Sequence, residues 1–133
     1  RNGPASTWSE RHIAYAAGLG TFSLTDALIT EHGIAHRVGS VVCNIHFEPT
    51  PRPYSTHLEY CLFYQNGSCG ECIKRCPAGA LSGAGHDKLK CEQYVMRTLK
   101  PWLMKPHYLG DKYIGCGLCL TGTPCEHQKP TKI

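Results

Sequence analysis

Nine of the 133 residues are cysteine. Thiols at that density form disulfides, hold zinc, or hold iron–sulfur clusters. The odd count, and residues that point nowhere toward secretion, weigh against disulfides. Spacing separates the other two. The run Cys69-Gly70-Glu71-Cys72-Ile73-Lys74-Arg75-Cys76-Pro77 reads Cys-x2-Cys-x3-Cys-Pro. It is the back half of the bacterial ferredoxin run Cys-x2-Cys-x2-Cys-x3-Cys-Pro. Cys61 takes the place of the missing front cysteine, with a longer gap to Cys69 that contains the turn signal Asn66-Gly67. Further on, Cys116-x2-Cys119-x5-Cys125 repeats the theme, and Cys91 lies upstream of it.

A tight turn lets successive thiolates reach corners of one cubane. The cysteine before Pro77 points elsewhere, because proline stops the turn. In two-cluster ferredoxins that cysteine serves the other cluster. The expectation is therefore crossed. Cys61, Cys69, Cys72 and Cys125 hold one [4Fe–4S] cluster, and Cys76, Cys91, Cys116 and Cys119 hold the other. Cys72 and Cys76 lie within roughly 14 Å of each other even in an extended chain, which keeps the clusters close. Cys43 is left over and is expected as a small buried hydrophobe on a strand. Zinc is the alternative occupant, since Cys-x2-Cys pairs also bind it. The chain would then be a structural or binding module. A redox sensor is a third reading.

Gly67, Gly70, Gly115, Gly117, Gly122 and Ser68 crowd the cysteine loops. Small residues let backbone amides approach cluster sulfurs and raise the reduction potential, though ordinary turns also use them. The formal charge is +4 with histidines neutral. Two [4Fe–4S] clusters on thiolates add about −4. The basic balance is thus a weak sign of nucleic acid.

The elements that must position these thiols are short. Thr7-Trp8-Ser9-Glu10 reads as a capping box opening a helix through Ala17, closed by Gly18. Ala27–Thr30 and Val38–Cys43 read as strands, with Gly33 in their connection. Glu48 to Tyr54 carries three prolines and suits neither helix nor central strand. Asp87 caps a helix through about Leu99, with Cys91, Tyr94, Val95 and Leu99 on one face, and Pro101 and Pro106 break the chain beyond it. Residues 127–133 read as a disordered tail. The fold class is α+β, with a modest core that metal can staple. No apolar run approaches the roughly 20 residues of a membrane span, so the cytoplasm is the expected location.

Other patterns carry less. Gly18-Leu19-Gly20 lacks the third glycine and preceding strand of a dinucleotide loop. His32, His36 and His46 receive no ligand role. Lys74 and Arg75 are expected as a solvated pair, with steering of an acidic electron donor as the alternative.

With these residues in view, the chain resembles the epoxyqueuosine reductase and reductive dehalogenase superfamily. Glu10-Arg11 through Ala17-Gly18-Leu19-Gly20 is similar to its Glu-Arg…Ala-Gly-Leu-Gly segment. Leu28-Ile29-Thr30, Gly39-Ser40 and the cysteines from Cys61 to Cys125 come next, in the family's order. The resemblance implies that residues 1–47 end a nitroreductase-like cobalamin domain and that 48–60 are a Pro-rich linker. Residues 61–126 would be a two-cluster ferredoxin-like domain relaying electrons to cobalt, and 127–133 a tail. It implies an upstream catalytic domain or reductase partner, so the chain, which opens on Arg1, is expected to be a piece of a longer protein with its catalytic residues outside it. A donor such as ferredoxin or flavodoxin is implied, and tRNA is the one nucleic acid it admits. Gly18 and Gly20 would allow close backbone approach to a flat cofactor. The chain departs from the family at Thr21-Phe22-Ser23-Leu24-Thr25, where an aromatic residue and Gly-Lys are usual. It departs also in the long gap from Cys61 to Cys69, in the five residues between Cys119 and Cys125, and in lacking a proline after Cys125.

Overall fold

The structure is a computed structural model and describes residues 6–103 and 115–131. It is a small α+β arrangement with two separate two-stranded antiparallel sheets among the described residues. The first helix, α1 (Glu10–Ala16), starts later than the capping-box reading places it. Ser9, not Thr7, holds the extended N-cap conformation. The Ser9 hydroxyl bonds the His12 ring at 2.7 Å, and Glu10 accepts from the Trp8 indole at 2.9 Å, so neither makes the reciprocal backbone bonds of a capping box. Gly18 does end the helix, at φ +83.

A hairpin comes next. β1 (Gly20–Phe22) pairs with β2 (Leu28–Thr30) in the register Gly20 to Thr30, Thr21 to Ile29 and Phe22 to Leu28. The turn is built from side chains: the Ser23 and Thr25 hydroxyls bond each other at 2.7 Å, and Asp26 sits at φ +62. Thr21, fully buried, accepts the backbone N–H of Tyr60 at 2.8 Å. Residues from distant parts of the chain thus close one core: Leu24, Ile29, Ile34, Tyr60 and Cys61.

The strand expected at Val38–Cys43 is absent. Val41 and Val42 are 88% and 89% exposed, and the segment is irregular. β-branched residues favour a strand only where an edge is available to pair with. Cys43 is accordingly exposed, not a buried strand residue. The proline-rich stretch is irregular as expected, but Tyr54 packs on the core cluster and stacks on Tyr15 with ring centroids 5.2 Å apart.

The later elements are α2 (Leu62–Asn66), α3 (Glu71–Arg75), a hairpin of β3 (Leu81–Ser82) and β4 (Gly85–His86), and α4 (Lys88–Tyr94). The Asp87 carboxylate caps α4 by accepting from Lys90 N at 3.0 Å. The helix does not stop at Leu99. A π-helical turn, Val95–Leu99, leads into α5 (Lys100–Leu103), which contains Pro101. Proline lacks the N–H that a regular α-helix would send four residues back. Here Lys100 N–H reaches back to Val95, and the wider turn admits proline into the first turn of α5. Pro106 lies outside the described residues. The tail is not loose as far as 131: Lys129 pairs with Glu31 at 3.2 Å and sits 3.8 Å over the Tyr60 ring. Among the described residues, no helix is long and apolar enough to cross a membrane.

Candidate metal centre

The gap between Cys61 and Cys69 is filled by a helix, not by an open loop. Cys61 is the N-cap of α2, and Gly67 closes it in the left-handed region at φ +71. Asn66 then accepts Ser68 N at 3.0 Å, which turns the chain back. This returns Cys69 to the cavity that Cys61 faces. Cys61, Cys69, Cys72 and Cys125 line this one cavity, with Leu24, Ile29 and Pro130 among its other walls.

α3 opens on Gly70 and carries Cys72 on its first turn. Cys76 is its C-cap, at φ −77 and ψ 105, so the chain leaves the helix there. The backbone N–H of Ala80 donates to Cys76 Sγ at 3.3 Å. The β3–β4 hairpin then leads to α4, which carries Cys91. Lys90 donates to Gly79 O at 2.9 Å and ties α4 to the loop after Cys76.

Electrostatics sorts the thiols. Burial pushes the Cys72 thiol up to about 12, and the charges of Cys61, Cys69 and Cys125 act next, ahead of Cys119. Cys125 is raised by burial, opposed by the Thr123 hydroxyl, with Cys61 and Cys69 adding to the rise. Burial brings Cys119 to about 11, and Cys76, Cys91 and Cys116 add to it, with its own backbone N–H opposing. Cys91 is raised by burial and then by Cys76 and Cys116. After burial, Cys72 and Cys125 feel Cys61 and Cys69, whereas Cys91 and Cys119 feel Cys76 and Cys116. Cys43 is exposed and belongs to neither.

Among the described residues, no three Cys, His, Asp or Glu converge closely enough for one metal ion. A mononuclear zinc site needs its sulfurs about 2.3 Å from a single point. A cubane takes four thiolates, one per iron, and Cys61, Cys69, Cys72 and Cys125 line one cavity. Four thiols on one cavity are a donor set that fits a thiolate-held cluster.

Other expected features fall elsewhere. A side chain at Gly20 would meet Ile29 O at 2.1 Å, and one at Gly18 would meet Pro51 O at 3.3 Å. The close approaches at both glycines are made by this chain's own backbone. At the departure from the family pattern, Leu24 stands in the core at 1% exposure. His46 is exposed and bonds Glu48 at 3.2 Å. Lys74 pairs with Glu71 at 2.6 Å on the surface. Arg75 is exposed as well, as expected, and in addition reaches the Leu118 carbonyl at 3.1 Å, a contact that local charge pattern did not signal.

This is a small α+β cysteine-rich protein in which four thiols line one cavity. No family model matches it, and no solved structure does either. The epoxyqueuosine reductase of Listeria monocytogenes is 34% identical over 121 residues, covering 87% of this chain and 29% of that protein. That of Bacillus subtilis is 32% identical over 126 residues, covering 91% and 30%. That of Bacillus anthracis is 32% identical over 120 residues, covering 87% and 29%. Over this shared stretch the chain belongs to the epoxyqueuosine reductase family, and it spans less than a third of the length of these relatives.

Proposed function

We propose that this chain carries electrons through two [4Fe–4S] clusters to the active site of a larger reductase. The observation that carries the reading is the cavity lined by Cys61, Cys69, Cys72 and Cys125, which draws its thiols from both cysteine-rich segments. Such clusters, when bound, supply one-electron transfer at potentials that the surrounding protein sets. Cys61, Cys69, Cys72 and Cys125 would hold one, and Cys76, Cys91, Cys116 and Cys119 the other.

The chain's own residues prepare this. α3 carries Cys72 of one group and ends on Cys76 of the other, and four residues of helix advance only about 6 Å, so the path between the groups is short. The Ala80 N–H to Cys76 Sγ and the Thr123 hydroxyl 3.5 Å from Cys125 Sγ stabilise negative charge on sulfur. Cys61 is buried and Cys72 and Cys125 are half-buried, which limits water at the first group.

The larger protein is read by family resemblance. Its reductase domain, with cobalamin as the cofactor to test for, would precede a two-cluster ferredoxin-like region, with residues 1–47 as its end and 48–60 as the join. The donor would be a ferredoxin or flavodoxin, the substrate a modified base in tRNA, and the location the cytoplasm.

The deciding experiment is iron, acid-labile sulfide and zinc per chain, on protein purified without oxygen. About eight iron and eight sulfide are expected for two four-iron clusters. Zinc near two with little iron would make the chain a structural module instead.

A further inference from the structure

We propose that Arg75 is a positioning residue, the clasp that holds the second cysteine loop in register with the first. The inference rests on the two-cluster reading for its consequence, and on geometry alone for the clasp. Arg75 ends α3, the helix that carries Cys72 and leads directly into Cys76. Its Nε donates to Leu118 O at 3.1 Å, and its Nη2 donates to Thr121 Oγ1 at 3.3 Å. The same Thr121 hydroxyl donates back to Leu118 O at 3.4 Å. The guanidinium also lies against Gly122, where a side-chain carbon would come within 3.0 Å of it.

All of these contacts fall within residues 118–122, the turn that carries Cys119 and leads to Cys125. Those two thiols belong to different groups, as do Cys72 and Cys76 on either side of Arg75. One side chain therefore joins the two segments that each give a thiol to both groups. A planar fork fixes orientation in a way that a point charge does not. The neighbouring Lys74 offers the contrast, because it pairs with Glu71 of its own helix.

The test compares Arg75→Ala, Arg75→Lys and the control Lys74→Ala. In metal-free reduced protein, alkylation of each cysteine by iodoacetamide is followed by peptide mass spectrometry. Arg75→Ala should speed reaction at Cys119 and Cys125 by about fivefold, the size expected for losing its two exposed hydrogen bonds to Leu118 and Thr121. Cys61 and Cys91 should keep their rates, and Lys74→Ala should change nothing. In reconstituted protein, Arg75→Ala should also release iron faster to a ferrous chelator and alter the magnetic interaction between the two reduced clusters. Arg75→Lys should behave like Arg75→Ala. Full rescue by lysine would show that charge suffices and would overturn the clasp, as would unchanged alkylation in Arg75→Ala. If wild-type protein takes up no iron, the two-cluster reading fails, while the alkylation rates still decide the clasp.

Discussion

The two thiol groups sit in unlike surroundings. Cys61 is itself a core residue, with Leu24, Ile29, Ile34 and Tyr60, and Cys72 and Cys125 pack against that core. The second group is gathered by local elements: the end of α3, the first turns of α4, and the turn in which Leu120 N bonds Gly117 O at 2.9 Å. A thiol that doubles as a core side chain ties metal binding to folding of the whole chain. A thiol hung on one helix depends on that helix. On the proposed two-cluster reading, the fold would make the first site and carry the second as an attachment.

Paired serine substitutions break the comparison most directly. Cys61→Ser and Cys91→Ser should each lower iron from about eight to about seven or fewer, since a three-iron cluster needs one thiolate less. Their effects on the metal-free fold should differ. Cys61 is 8% exposed in an apolar core, and a hydroxyl without a partner there should cost about 1–3 kcal/mol. Cys91→Ser, on a half-buried helix face, should stay within about 0.5 kcal/mol. Denaturant unfolding of both metal-free variants measures this, and equal losses would erase the distinction between the groups.

The unlike surroundings also explain what the sequence could disclose. Short spacing groups Cys61, Cys69 and Cys72, the two-cluster ferredoxin pattern adds the distant Cys125, and all four line one cavity. The helical face of Cys91, Tyr94, Val95 and Leu99 was legible too, and Val95 is its buried member. The core role of Cys61 was not, because it depends on Leu24 and Ile29 from the first hairpin. Arg75 is exposed as its charge predicts, but its contact with Leu118 is invisible to local pattern because the partner lies 43 residues away. Val38–Cys43 misled in the opposite way: its residues favour a strand, but pairing needs a second edge that composition does not reveal. Pro101 signalled a helix end, and a π-turn absorbed it instead.

A pH titration sharpens the comparison further. The ordinary thiol value is 9.0, and burial raises Cys72 to about 12 and Cys119 to about 11 in the folded chain. The folded state therefore keeps protons that the unfolded chain has lost above pH 9. Stability from these thiols is complete below that point and declines as pH rises toward the folded values. Metal-free protein should lose stability from about pH 9 upward, over a wider range for Cys72 than for Cys119. Cys72→Ser should flatten the decline more than Cys119→Ser, and chemical unfolding at stepped pH reads both. Identical slopes would mean that the two groups are equally buried in solution.

The smallest expected effect isolates the attached site. Asp87 caps α4 through the N–H of Lys90, the residue directly before Cys91. Asp87→Ala should cost about 1 kcal/mol, the usual worth of an N-cap, and should fray the turn that presents Cys91. Because Cys91 belongs to the second group alone, that cluster should release iron to a chelator several-fold faster, with the first unchanged. The spectroscopic signals of the two reduced clusters would separate the rates. Parallel loosening of both would mean that strain at α4 passes through Cys76 and α3 into the core, and the second site would then be as much a part of the fold as the first.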